Sequence, residues 1–284
     1  MRIRIIEMRE RMISVHVNHS HMKFPQFLFP LLLFGLCCPQ FVLATHDVAG
    51  ELTYEFLDSC TLRVHFSHYV HCNGANGSAF PVNLVSTGGS CTLPAPLTAW
   101  VQTAQIDQTP VCPGFQTDCS DPNSPVGGFA QWAFQRDFEI CGSNCGQVRI
   151  AWQTCCRSWS VGGQSEGWYL GRSVISLNQS GPNSSPRFLP HPLNFGYAFS
   201  EVGYSFRAID PDGDSISYHL DTCFRAAGMP ITYSAGVSPS QPFGSGFDLQ
   251  LDARTGVLNV DPKPGASSNS HYFMAVRADE HRNG

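Results

Sequence analysis

Three aspartates at alternate positions, Asp210, Asp212 and Asp214, lie in the run Asp-Pro-Asp-Gly-Asp. Calcium takes six to eight oxygen ligands, and carboxylates closely spaced on a bend supply several at once. Gly213 lets the backbone curl and Pro211 stiffens the approach. This is not an EF-hand, because glycine stands at the fourth loop position and Asp221, not Glu, at the twelfth. The competing reading is a solvated turn whose Asp side chains bond their own backbone.

The chain has 12 cysteines. Setting aside Cys37 and Cys38 in an N-terminal leader leaves Cys60, Cys72, Cys91, Cys112, Cys119, Cys141, Cys145, Cys155, Cys156 and Cys223 as disulfide candidates. Cys60 and Cys72 bracket one strand, about 40 Å apart at full extension. A disulfide needs Cα atoms within about 7 Å, so each must pair elsewhere. Cys155 and Cys156 point to opposite faces and should take different partners. Cys112 with Cys119, and Cys141 with Cys145, are each spaced to close a local loop. No pair of C-x-x-C units is present to hold zinc.

His65 and His71 share a strand face, with His68 on the other, so the three do not converge on a metal. They read as polar-face histidines. Asp137 and Glu139 share a face, as a glycosidase pair would, but nothing beside them builds a cleft. No strand-to-helix turn is expected that would carry a nucleophile elbow, and there is no phosphate loop or metalloprotease helix. The expectation is a protein that is not an enzyme.

The elements that carry these residues are short strands. Charged residues are 14% of the 284, against a usual figure of about 25%. The 26 glycines and 20 prolines are scattered and punctuate the chain. A net charge of −5 gives no footprint for nucleic acid. Leu52, Tyr54 and Phe56 alternate with Glu51, Thr53 and Glu55. After a turn, Leu62, Val64, Phe66, His68 and Val70 alternate in the same way, as in an antiparallel hairpin. Further strands are predicted near 97–106, 132–140, 148–155 and 168–177. The breaker-rich run 178–186 reads as a linker, beyond which 204–208, 216–220, 247–251, 257–260 and 272–278 alternate again.

Lys23, an apolar core from Phe24 to Leu36, and small residues up to Ala44 form the three-part layout of a signal peptide. Pro25, Pro30 and Pro39 argue against a membrane anchor, so no span is expected in the mature chain. Residues 1–21 read as an over-extended gene start, with Met22 the initiator.

Several blocks, in order, resemble a known group. They are Ala44-Thr-His-Asp-Val-Ala-Gly-Glu-Leu-Thr-Tyr54, Tyr69-Val-His-Cys-Asn-Gly74, Thr154-Cys-Cys-Arg157, Asp210-Pro-Asp-Gly-Asp-Ser-Ile-Ser-Tyr218, Leu251-Asp-Ala-Arg-Thr-Gly-Val-Leu258 and Val276-Arg-Ala-Asp-Glu-His-Arg-Asn-Gly284. Together they resemble secreted bacterial surface proteins of the PKD-domain-containing type, linked to gliding motility and type IX secretion. The second half is similar to cadherin-like and Ig-like repeats. Val70-His71 departs from the Arg-Asp usual in that group, and Val260-Asp-Pro-Lys-Pro264 stands where cadherins have Leu-Asp-Arg-Glu. By analogy with cadherin repeats, Asp279 and Glu201 are added to the calcium candidates.

The expectation is therefore an all-β protein of a Gram-negative bacterium. It has a leader at 22–44, a disulfide-rich β-sandwich domain at 45–181, and a cadherin-like or PKD-like β-sandwich domain at 182–284. The final hairpin partner of the second sandwich would lie past Gly284. The resemblance implies a secreted or cell-surface, outer membrane-associated structural or adhesion role, toward other surface proteins, glycans or a substratum. The alternatives are a carbohydrate-binding module using Trp152, Trp159, Trp168 and Tyr169, and a secreted hydrolase.

Overall fold

The computed structural model describes residues 2–7, 47–73, 82–87, 90–154, 168–177, 183–189, 201–264 and 272–282, with backbone alone for 2–7 and 168–174. The expected leader, Cys155, Cys156 and Trp159 lie outside these residues. Eighteen strands and no helix occur among them. The first nine are β1 (Arg2–Glu7), β2 (Asp47–Phe56), β3 (Thr61–His71), β4 (Val82–Ser86), β5 (Ala95–Pro96), β6 (Val101–Asp107), β7 (Phe129–Glu139), β8 (Gln147–Thr154) and β9 (Trp168–Ser176). Then come β10 (Arg187–Phe188), β11 (Val202–Ser205), β12 (Ala208–Ile209), β13 (Ser215–Asp221), β14 (Phe224–Ala226), β15 (Met229–Pro230), β16 (Phe247–Leu251), β17 (Val257–Pro262) and β18 (Phe273–His281).

The protein is all-β, as its alternating runs predict. The largest sheet runs β13-β18-β1-β2-β3-β7-β5, with β6 also on β7. A second runs β15-β14-β9-β8-β4, a third β11-β17-β16, and β10 pairs β12. All the pairings are antiparallel.

Alternation decides which faces meet. Leu52, Tyr54, Leu62, Val64, Phe66, Phe134 and Phe138 of the large sheet pack against Val82, Leu84, Val148, Ile150, Trp152 and Ile175 of the second. Trp152 is 0% exposed at the centre of this core. A second core joins Tyr218, Met274, Val276 and Ala278 of β13 and β18 to Phe247, Leu258 and Val260 of the third sheet, with Phe206 beside them.

The two cores are interleaved in sequence. Cys223, Ile231, Phe273 and Ala275, all beyond the 178–186 linker, belong to the first. The route there is the small β14–β15 hairpin, which adds to β9 through Phe224↔Tyr169. Strand β18 serves both cores, Phe273 and Ala275 facing one and Met274, Val276 and Ala278 the other. Arg2–Glu7, expected to precede the initiator, pair as β1 with β18.

The run Asp252-Ala-Arg-Thr-Gly256 forms the expected turn between β16 and β17. Asp252 Oδ1 accepts from the N–H groups of Arg254 (2.8 Å) and Thr255 (2.9 Å). Gly256 sits at φ +69°, and a Cβ there would stand 3.0 Å from the Tyr218 ring. The Tyr218 hydroxyl in turn accepts from the Ala208 N–H at 2.8 Å, beside the start of the aspartate turn.

Candidate functional site

The turn between β12 and β13 is bent by its own first side chain. Asp210 Oδ1 accepts from the N–H of Asp212 (2.9 Å) and of Asp214 (3.1 Å), the local bonding that suits Asp to turns. Gly213 takes the left-handed conformation at φ +84°, which a side chain would resist. The other two carboxylates then reach outward. Asp212 Oδ2 accepts from the Ser184 N–H at 2.6 Å, and Asp214 pairs with Arg282 at 3.1 Å.

The linker closes the other side. Arg282 donates to Asn183 Oδ1 at 2.5 Å, and the Asn183 amide donates to Glu280 Oε1. Ser185 and β2 exchange bonds at Tyr54, N–H to carbonyl (2.9 Å) one way and Tyr54 N–H to Ser185 Oγ (2.9 Å) the other. Ser184 Oγ accepts from the Phe56 N–H at 3.2 Å. Arg187 pairs with Glu55, which also bonds His65 at 3.0 Å. The 183–187 segment is thus tied to β2 on one flank and to the aspartate turn on the other.

Four carboxylates, Asp210, Asp212, Asp214 and Glu280, gather here, with Arg282 the paired cation. Burial, with Asp210 and Asp214 nearby, holds the Glu280 carboxyl above its ordinary value. Burial and the negative field of Glu280, Asp210 and Asp212 push the Tyr54 phenol far up. Asp210 Oδ2 and Glu280 Oε2 are buried oxygens with no hydrogen-bond partner among the described residues. Carboxylate oxygens facing an acidic interior without donors are the chemistry a hard cation meets.

The strand parity revises two candidates. Asp279 lies on the opposite face of β18 from Glu280, where it pairs with Arg277 at 2.9 Å and lies 3.8 Å from His219. Glu201 is exposed ahead of β11, in the third sheet. Glu280, Asn183 and Ser184 stand in their place. Glu280 was legible, since it continues the buried series Val276, Ala278. Asn183 and Ser184 carry no such signal.

Among the described residues three disulfides join Cys60 to Cys141, Cys72 to Cys119 and Cys91 to Cys145. Cys60 and Cys72 pair elsewhere, as strand length required. The local loops Cys112–Cys119 and Cys141–Cys145 do not form. The reason is strand pairing: Thr61↔Glu139 brings Cys60 beside Cys141. At the other end of β3 the Cys72 N–H donates to the Gly128 carbonyl, near Cys119. Cys112 is exposed and Cys223 buried in the first core. The two Cys–carboxylate groups, Cys60-Glu139-Cys141 and Cys72-Asp118-Cys119, have their sulfurs in disulfides and therefore offer no thiolate. Disulfides of this kind suit an oxidising compartment.

The histidines split as parity requires, but His68 is no polar-face residue. It is 0% exposed, 3.7 Å from Asp47, itself 0% exposed. Its ring stacks on Phe66 at 5.3 Å. His65 bonds Glu55, and His71 lies against the Phe129 ring at 4.5 Å. Among the other candidates, Asp137 is held by two bonds from Arg63, which keep its carboxyl below the usual range. Glu139 accepts from the Cys141 N–H at 2.9 Å. Trp152, offered for a glycan platform, is core instead. No helix among the described residues is long and apolar enough to cross a membrane. The chain matches no family model, no curated protein and no solved structure.

Proposed function

We propose that this chain is a non-catalytic, exported cell-surface module of structural or adhesive type. In this reading two packed cores that share β18 meet at a junction stiffened by calcium. The observation that carries it is the 183–187 segment, bonded to β2 on one side and to the aspartate turn on the other. A connection so tied transmits orientation from one core to the next, which suits a spacer in a longer surface protein. The three disulfides support an extracellular setting. The family resemblance adds gliding-motility surface proteins as relatives, and other surface proteins, glycans or a substratum as contacts.

Calcium would use Asp210 Oδ2 and Glu280 Oε2 first, drawing Asp212 and Asp214 from Ser184 and Arg282. The test has two arms of opposite sign. A carboxyl raised by folding stabilises the protein only below its unfolded value, and that contribution is lost as pH rises. At neutral pH without a cation, Glu280 therefore opposes folding, and Glu280→Gln should raise the melting temperature in EDTA. Calcium at a hundred times its Kd should raise the unsubstituted protein by about 5–10 °C. Glu280→Gln and Asp212→Ala should each shrink that rise. Identical melts in calcium and EDTA would remove calcium and leave a plain sandwich spacer.

A further inference from the structure

We propose that the edge of β18 turned away from β13, toward β2, is an acceptor site for an extended strand supplied by a separate polypeptide. The first observation is burial. Phe273, Met274, Ala275, Val276 and Ala278 are each at most 2% exposed, and they face two different cores. One edge of β18 is satisfied by β13, from Ser215↔His281 to Asp221↔Ala275. A strand covered on both faces has no water for its second edge, so that row of N–H and C=O groups needs a strand partner.

The second observation is the occupant of that edge. Arg2–Glu7 lie there, antiparallel, in register from Arg2↔Ala278 to Glu7↔Phe273. On its other side β1 neighbours β2, in register at Arg4↔Glu51. The register sets Arg2 and Arg4 against Ala278 and Val276, both 0% exposed. Those positions favour apolar partners. Register alone thus sets apolar residues as the match for this place.

The third is connectivity. The expected leader cleavage, after Ala44, falls between β1 and β2. A chain started at Met22 never carries this occupant. In a chain started at Met1 the cut turns it from a tethered segment into a dissociable one, so on either start the edge opens to another chain. The ligand is a strand of about six residues without proline, adding by main-chain bonds, with apolar residues where Arg2 and Arg4 now stand. This rests on the pairing of β18 and is independent of calcium.

The full chain, carrying a specific protease site within residues 8–44, is folded and then cut. Fluorescent hexapeptides are added: the Arg2–Glu7 sequence, the same with Arg2→Val and Arg4→Val, and that form with Ile5→Pro. Cut chain should take up the first two, the double-valine form about tenfold tighter or better. Amide exchange at 273–281 should slow on uptake, the proline peptide should not bind, and uncut chain should take up little. Failure of the cut chain to bind either strand peptide would overturn the proposal. So would equal binding of the proline form, or dimers of cut chain in sedimentation without peptide uptake.

Discussion

Reduction of the three disulfides should unfold the half of the protein built on the first core while leaving native conditions otherwise unchanged. Each closed loop contributes about 2–4 kcal/mol by restricting the unfolded chain. The separations, 81, 47 and 54 residues, lie toward the upper part of that range. Together they rival the roughly 5–15 kcal/mol that separates most folded domains from unfolding. A melt in reductant, followed by tryptophan emission, reads the core through Trp152. It should fall by at least about 15 °C. The second core contains no cysteine, yet it shares β18 with the first, so its loss should follow through that strand. A reduced protein melting with the oxidised one would mean that these crosslinks carry no stability.

Truncating either Asp47 or His68 should destabilise by about 1–3 kcal/mol, since a fully buried polar group loses its neighbour. Asp47 opens β2 at a bulge in its pairing with β3, between the Asp47↔Val70 and Ala49↔Tyr69 pairs. The bulge aims an acidic side chain inward, where alternation alone would not place it. Urea unfolding of Asp47→Ala and His68→Ala measures the two losses. The double replacement Asp47→Leu with His68→Phe should lose less than either single change, because neither apolar group brings a polar atom into the core. Single variants within about 0.5 kcal/mol of the parent would show the pair to be of no consequence.

The sequence makes faces legible and leaves meetings between distant segments obscure. Leu62, Val64, Phe66, His68 and Val70 were readable as one face because a strand has period two. That His68 meets Asp47 depends on β2–β3 register and a bulge. Cys60 could be kept from Cys72 by length alone, whereas its union with Cys141 needed the β3–β7 pairing. The turn at Asp210 announced itself through Asp, Pro and Gly. Its neighbours Asn183 and Ser184 come from a linker with no periodicity to read. Strands β14 and β15, of three and two residues, are too short for alternation to mark them.

The Cys60–Cys141 bridge has a mechanical consequence for a chain held at both ends. Tension can lengthen only what lies outside a covalent loop. The 81-residue span between these cysteines would extend by about 270 Å if it were released. Cys72–Cys119 closes 47 residues inside that span and Cys91–Cys145 interlaces with it, so all three bridges must open before that length appears. Under pulling, the oxidised protein yields its second core and termini first and then stops short, like a rope with a knot that sets its reach.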